Sequence, residues 1–89
     1  MATPQAASDI IGQAKEQLPN LIGKPAESVS GIERAEDNGW RVTLEVLELE
    51  RIPPTTDVLG TYEVLLDEEG TLQSFQRIYR YHRSQATRE

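Results

Sequence analysis

Residues 33–46 read ERAEDNGWRVTLEV, and the fold turns on how this stretch is paired. Asn38-Gly39 stands between two segments of period two. Asn-Gly is a strong hairpin signal, because a two-residue type I′ turn needs positive φ at both central positions. Such a turn sets Asp37 opposite Trp40, Glu36 opposite Arg41, Ala35 opposite Val42, Arg34 opposite Thr43 and Ile32 opposite Glu45. One side of the second strand then carries Trp40, Val42, Leu44 and Val46, which makes it the core side. The other side carries Arg34, Glu36, Arg41, Thr43 and Glu45, an interleaved charge set worth roughly a few tenths of a kcal/mol per cross-strand pair.

Toward the N-terminus the period becomes helical. Ala7, Ile10, Ile11, Ala14 and Leu18 recur on one side, with Gln13, Lys15, Glu16 and Gln17 on the other. Thr3-Pro4 offers an N-cap and a first-turn proline, and Ser8 or Asp9 a later cap. Gly12 weakens this helix by about 1 kcal/mol relative to alanine. Pro19 predicts its end near Leu18. Leu21-Ile22-Gly23 and Pro25–Val29 read as an apolar anchor and a single further helical turn.

Toward the C-terminus, alternation breaks at Val46-Leu47, which calls for either a β-bulge or burial on both faces. Val58–Leu66 forms a third strand, with Tyr62, Val64 and Leu66 on one side. Asp67–Gly70 is a short turn, and Leu72–Arg83 a long fourth strand bearing Phe75, Ile78, Tyr79 and Tyr81. The prediction is an α+β fold, an N-terminal helix packed on a four-stranded antiparallel meander in two layers. Residues 7–83 make the single domain, and 1–6 and 84–89 are flexible ends.

Composition narrows the function. Eighty-nine residues without a cysteine leave no disulfide or thiolate chemistry. No apolar run approaches the roughly 20 residues that span a bilayer, and the N-terminus lacks the pattern of a signal peptide. The expectation is a cytoplasmic protein. Charge is segregated: residues 1–32 carry −1, residues 33–69 carry −8 and residues 70–89 carry +3, for a total of −6. An acidic body argues against nonspecific nucleic-acid binding, which needs clustered Lys and Arg. The basic end suits an acidic partner surface, or the acidic strands of its own chain.

No catalytic set emerges. His82 is the sole histidine and sits in an arginine-rich strand end. Glu45 and Glu48 imitate a carboxylate pair, but odd separation in a strand points them to opposite faces unless a bulge intervenes. Asp67, Glu68 and Glu69 lack the ligand spacing of a calcium loop. No phosphate loop or nucleophile elbow is present. The reading is a non-enzymatic protein without a cofactor or metal. Phe75, Arg77, Tyr79, Tyr81 and Arg83, set on one side of the last strand, have the alphabet of an RNA-stacking sheet, yet Glu45, Glu48, Glu50 and Glu63 surround them.

The connector ERIPPTTD, residues 50–57, is longer and stiffer than a turn requires. Pro53 and Pro54 fix φ and restrict their predecessors, which predicts a polyproline II-like run over Arg51–Thr55. Asp57 can bond nearby backbone N–H groups, and Arg51 can fork onto Glu48 or Asp57. Two readings stand side by side: a plain strand end that protects an edge, and a rigid ledge offered to another protein.

Residues 39–83 resemble a known family. The shared elements are the Gly39-Trp40 start and Glu45, Glu48, Arg51, Ile52 and Pro53 as E-x-x-E-x-x-R-I-P. Asp57-Val58-Leu59, Tyr62-Glu63-Val64, Asp67 with Gly70, and Arg77-x-x-Arg80-Tyr81 follow in order. They are similar to the gas vesicle protein O family over about half the chain, while the first 30 residues fit loosely as a helix of suitable size. The resemblance implies an accessory protein for gas vesicle formation, which contacts other accessory proteins or the shell protein and sits in the cytoplasm or with the vesicle. It points to Glu48, Arg51, Pro53, Pro54, Asp57, Arg77, Arg80 and Tyr81 as the partner-binding set. The open sheet face admits a homodimer. Two other classes remain: a PepSY-like inhibitory module, and an RNA-linked regulator of vesicle gene expression acting through Arg77, Arg80 and Arg83.

Overall fold

Chain order gives the helix α1 (Ala7–Ile22) and then four strands, β1 (Ala26–Arg34), β2 (Trp40–Leu49), β3 (Val58–Leu66) and β4 (Leu72–His82). A 3-10 turn (Pro54–Thr56) lies between β2 and β3, and one helical turn, α2 (Arg83–Ala86), follows β4. The computed structural model describes residues 7–36 and 38–86, with side chains as far as Ser84. The strands are antiparallel in the order β1-β2-β3-β4, and α1 packs on one side. This is the expected α+β arrangement of one helix on a meander.

The helix forms for the reason its spacing gives. Ile10, Ala14 and Leu18 fall on one side and are wholly buried against Val42, Leu44, Val46, Val64, Tyr62 and Leu66. The Thr3-Pro4 cap lies outside the described residues, and Ser8 and Asp9 sit inside the first turn rather than before it. Pro19 does not end the helix. Its missing N–H removes one bond, but Ile22 packs against the core and holds the last turn. Gly23 then closes the helix in the left-handed region (φ 72°), its N–H donating to the Pro19 carbonyl at 2.8 Å.

The further helical turn expected at Pro25–Val29 is a strand. β1 begins at Ala26, and the Pro25 carbonyl accepts the Leu47 N–H at 3.0 Å, which carries the ladder past its first residue. Extra residues at Glu27 and Ser30 interrupt its pairing with β2, so this edge is irregular.

The hairpin exists, but its register differs from the two-residue reading. Arg34 pairs with Trp40, Glu33 with Arg41, Ile32 with Val42 and Gly31 with Thr43, leaving the five-residue connection 35–39. Ala35 N–H closes it onto the Gly39 carbonyl at 2.9 Å. The position of Asp37 is outside the described residues. Of the two turn residues only Asn38 has positive φ (63°), so the type I′ condition fails. Gly39 serves close packing instead, since a Cβ there would lie 2.3 Å from the Leu66 carbonyl oxygen. The observed register puts Ile32 beside Val42 on the core side and stacks the Arg34 guanidinium 4.4 Å over the Trp40 ring. Arg34 therefore joins the Trp40 side, and Glu33 replaces Glu36 as the partner of Arg41. The core side itself, Trp40, Val42, Leu44 and Val46, is as expected.

Candidate functional site

Three carboxylates organise the end of the sheet where β2 passes into β3. The first is Glu48. Leu47 pairs with Leu59 and Leu49 with Val58, so Glu48 is the extra residue of a β-bulge at the break in alternation. The bulge drops its side chain onto the helix side, over Gly60, where a Cβ would come within 2.4 Å of a carboxylate oxygen. There the side chain is only 4% exposed. Tyr62 donates its hydroxyl at 2.7 Å, Arg77 Nη1 donates at 3.1 Å and Arg80 Nε approaches to 3.5 Å. Burial, and then the Glu48 acceptor, push the Tyr62 phenol above its usual range.

The second is Glu45, on the opposite face. Thr61 and Tyr81 donate hydroxyls to one oxygen at 2.7 and 2.6 Å, and Ser30 to the other at 2.7 Å. Donors from β1, β3 and β4 thus meet on one β2 side chain. Burial, followed by the Glu45 bond, raises the Tyr81 phenol strongly. The two glutamates remain on opposite faces even with the bulge, and they form no catalytic pair.

The third is Asp57, 4% exposed at the start of β3. Its Oδ1 accepts the Arg51 backbone N–H at 2.7 Å, closing the connector at its base. Its Oδ2 accepts Arg83 Nε at 3.1 Å, and the Asp57 carbonyl accepts the Arg83 N–H at 2.8 Å. Arg83 also reaches Glu27 with both terminal nitrogens. The Glu27 bonds, then those of Asp57, raise the Arg83 guanidinium further above its already high value.

Between these anchors, residues 51–56 are all exposed, and Ile52 keeps 99% of its surface. The polyproline II expectation holds at Pro53 (φ −77°, ψ 159°), but the Ile52-Pro53 bond is cis and Pro54–Thr56 curls into a 3-10 turn. Pro53 O accepts both the Thr56 N–H at 3.0 Å and the Thr56 hydroxyl at 2.8 Å. Arg51 touches Asp57 through its backbone rather than its guanidinium, which makes no ion pair among the described residues. A shallow hollow lined by Arg51, Val58, Arg80, Tyr81 and His82 joins the loop to β4.

The structure therefore brings Glu48, Arg77 and Arg80 together and keeps Arg51, Pro53 and Pro54 exposed at the neighbouring edge. Asp57 lies beneath the loop, and Tyr81 faces the other side of the sheet. An extra residue at Ile78 explains the split: Arg77 pairs with Tyr62 and Tyr79 with Thr61. Phe75 and Arg77 thus share the helix side while Tyr79 and Tyr81 stack at 5.7 Å on the other, and the single RNA-stacking side is not formed. Sequence reasoning missed the Glu27–Arg83–Asp57 chain, which no local pattern marks. Gly60 was legible in principle, since a glycine inside a strand signals close approach.

Among the described residues no helix is long and apolar enough to cross a membrane, and no group of three His, Cys, Asp or Glu is placed to hold a metal ion. No solved structure matches the chain. The sequence matches the family described as gas vesicle synthesis protein GvpO over residues 2–87. It is 45% identical over 85 residues to gas vesicle protein O of Streptomyces sp. (strain CB03234), covering 96% of this chain and 66% of that protein. It is 33% identical over 82 residues to gas vesicle protein O of Haloferax mediterranei, covering 92% of this chain and 59% of that protein. Gas vesicle protein O1 of Halobacterium salinarum is 32% identical over 77 residues, 86% of this chain and 64% of that protein. The chain thus spans between 59% and 66% of the length of these relatives. With a family match from end to end and the Glu48, Arg51–Asp57 and Arg77–Tyr81 elements all within it, the chain belongs to the gas vesicle protein O family.

Proposed function

We propose that this protein is a non-enzymatic accessory factor in gas vesicle formation, working in the cytoplasm or at the vesicle by binding other accessory proteins or the shell protein. Family membership supports the gas vesicle assignment. The loop at residues 51–56 and the adjoining arginines are the working surface. One observation carries that choice: Ile52 is 99% exposed at the tip of a loop whose base is closed by a buried aspartate. Leaving an isoleucine in water forgoes about 1.5–3 kcal/mol of burial. Single exposed apolar residues are common, but this one is held on a closed loop, so docking costs it little conformational freedom.

The test is deletion in a gas-vesicle-forming host, read by flotation and pressure-collapsible turbidity. Complementation follows with wild type, Ile52→Ser and Arg51→Ala, both exposed positions that leave the fold intact. Loss of vesicles rescued by wild type but not by the loop variants is the expected result. Normal vesicles after deletion overturn the accessory role. Full rescue by both variants reduces the loop to a connector.

A further inference from the structure

Fifteen acidic residues face nine Lys and Arg in this chain, so carboxylate partners for an arginine are plentiful. Among the described residues Arg41, Arg77, Arg80 and Arg83 each meet one, and Arg34 lies over Trp40. Arg51 is the exception. Its guanidinium has neither an ion pair nor a ring contact among the described residues. Its backbone is nonetheless fixed, because Asp57 accepts the Arg51 N–H at 2.7 Å. From that pinned base Arg51 lines two adjoining hollows, which share Arg51 and His82 as their common wall. One, of about 600 Å³, runs along Ile52 and Thr56. The other, of about 460 Å³, is completed by Val58, Arg80 and Tyr81.

Charge selects what enters. The smaller hollow has no acidic residue among its described lining, although the chain carries a net charge of −6. Arg80 is braced by Glu48, 3.5 Å from its Nε, yet 53% of its side chain stays exposed, so part of its donor set still meets water. Two like charges in one hollow repel each other, and an anion between them relieves that repulsion. Guanidinium forks fit a carboxylate through paired N–H donors. Ile52, 99% exposed beside the second hollow, offers the same ligand an apolar contact. We propose that the paired hollows bind an acidic and apolar segment of a protein partner, with an Asp or Glu carboxylate between Arg51 and Arg80 and a neighbouring apolar side chain on Ile52. This rests on the reading of residues 51–56 as the working surface, and it names what that surface recognises. A nucleic-acid strand also carries oxyanions, but its repeated charges would meet Glu50 in the larger hollow and the −8 of residues 33–69.

The probes are acetyl-Leu-Glu-Leu-amide, its Gln counterpart and inorganic phosphate. Each is titrated into the full chain while NMR follows the backbone and arginine side-chain N–H resonances. The Glu peptide is expected to give saturable shifts at Ile52, His82 and the Nε–H groups of Arg51 and Arg80, and to bind more weakly as salt rises. Replacing its Glu by Gln should raise Kd about tenfold or more, and so should Arg51→Ala or Arg80→Ala in the protein. Arg41→Ala removes the same charge at the hairpin end of β2, outside both hollows, and should leave Kd unchanged. Absence of saturation, equal binding of the two peptides, or a loss in Arg41→Ala as large as in Arg51→Ala overturns the proposal. Phosphate saturating the same resonances at lower concentration than the Glu peptide also overturns it. The outcomes separate from those of the deletion experiment. Saturable peptide binding with normal vesicles after deletion keeps the hollows and removes the accessory role, and lost vesicles without peptide binding do the reverse.

Discussion

Replacing Glu48 by alanine removes a carboxylate that serves three donors, and the cost can be assembled from its surroundings. Tyr62 is 8% exposed, and its hydroxyl donates to Glu48, so losing this charged hydrogen bond costs about 1.5–3 kcal/mol. Arg77 and Arg80 are about half exposed and regain water, so each pair adds only about 0.2–1 kcal/mol. The sum is roughly 2–5 kcal/mol, which in a domain of this size lowers Tm by roughly 8–40 °C. Urea unfolding followed by Trp40 fluorescence measures it. A double-mutant cycle with Tyr62→Phe should return a coupling of about 1–3 kcal/mol, because the two groups share one bond. Gly60→Ala should mimic the loss, since its Cβ would occupy the space of the carboxylate. A Glu48→Ala protein as stable as wild type, or a cycle with no coupling, refutes this account of the bulge.

Three further outcomes test other parts of the structure. Trp40→Ala empties the core side of β2 and removes the Arg34 stack, and should cost about 3–5 kcal/mol by urea midpoint; an unchanged midpoint would invert the face assignment. Gly39→Ala, pressed against the Leu66 carbonyl, should lose about 1–3 kcal/mol while Asn38→Gly is tolerated at positive φ, and the opposite order would restore the type I′ turn. Tyr81 has its folded pKa raised by burial and by Glu45, so its contribution is complete below the unfolded value of about 10 and is lost as pH climbs through the folded value. Stability should therefore fall above about pH 10 and fall less steeply in Tyr81→Phe; parallel curves would exclude Tyr81 as the cause.

Element types were legible wherever one side of an element meets the core. Ile10, Ala14 and Leu18 on α1, and Trp40 to Val46 on β2, announce themselves by period alone. What failed was settled by contacts distant in sequence. Pro19 argues for a helix end, yet Ile22 and the Gly23 cap carry the helix one turn beyond it. Asn38-Gly39 argues for a tight turn, yet pairing Ile32 with Val42 places an apolar residue against the core and outweighs the local preference of two loop residues. At the candidate site the alternation break at Val46-Leu47 announced a bulge, but not that Glu48 would be its extra residue or that Tyr62, Arg77 and Arg80 would converge on it. Arg83, beyond the last strand, carries no pattern that would tie it to both Glu27 and Asp57.

Those ties explain how a thin domain stays ordered where no helix covers it. Near Ile10 and Leu18, order comes from apolar burial between two layers. At the other end Glu48 joins β2 to β3 and β4 on the helix side, Glu45 joins all four strands on the far side, and Asp57 with Arg83 joins the loop to β4 and, through Glu27, to β1. Such networks add little net stability compared with apolar packing, but they hold geometry, because each donor left without its acceptor is penalised. Packing a second helix over this end would have been a stronger stabiliser and would have covered Phe75, Arg77 and Arg80. Polar cross-links keep the same backbone in place while residues 73–80 of β4 stay exposed.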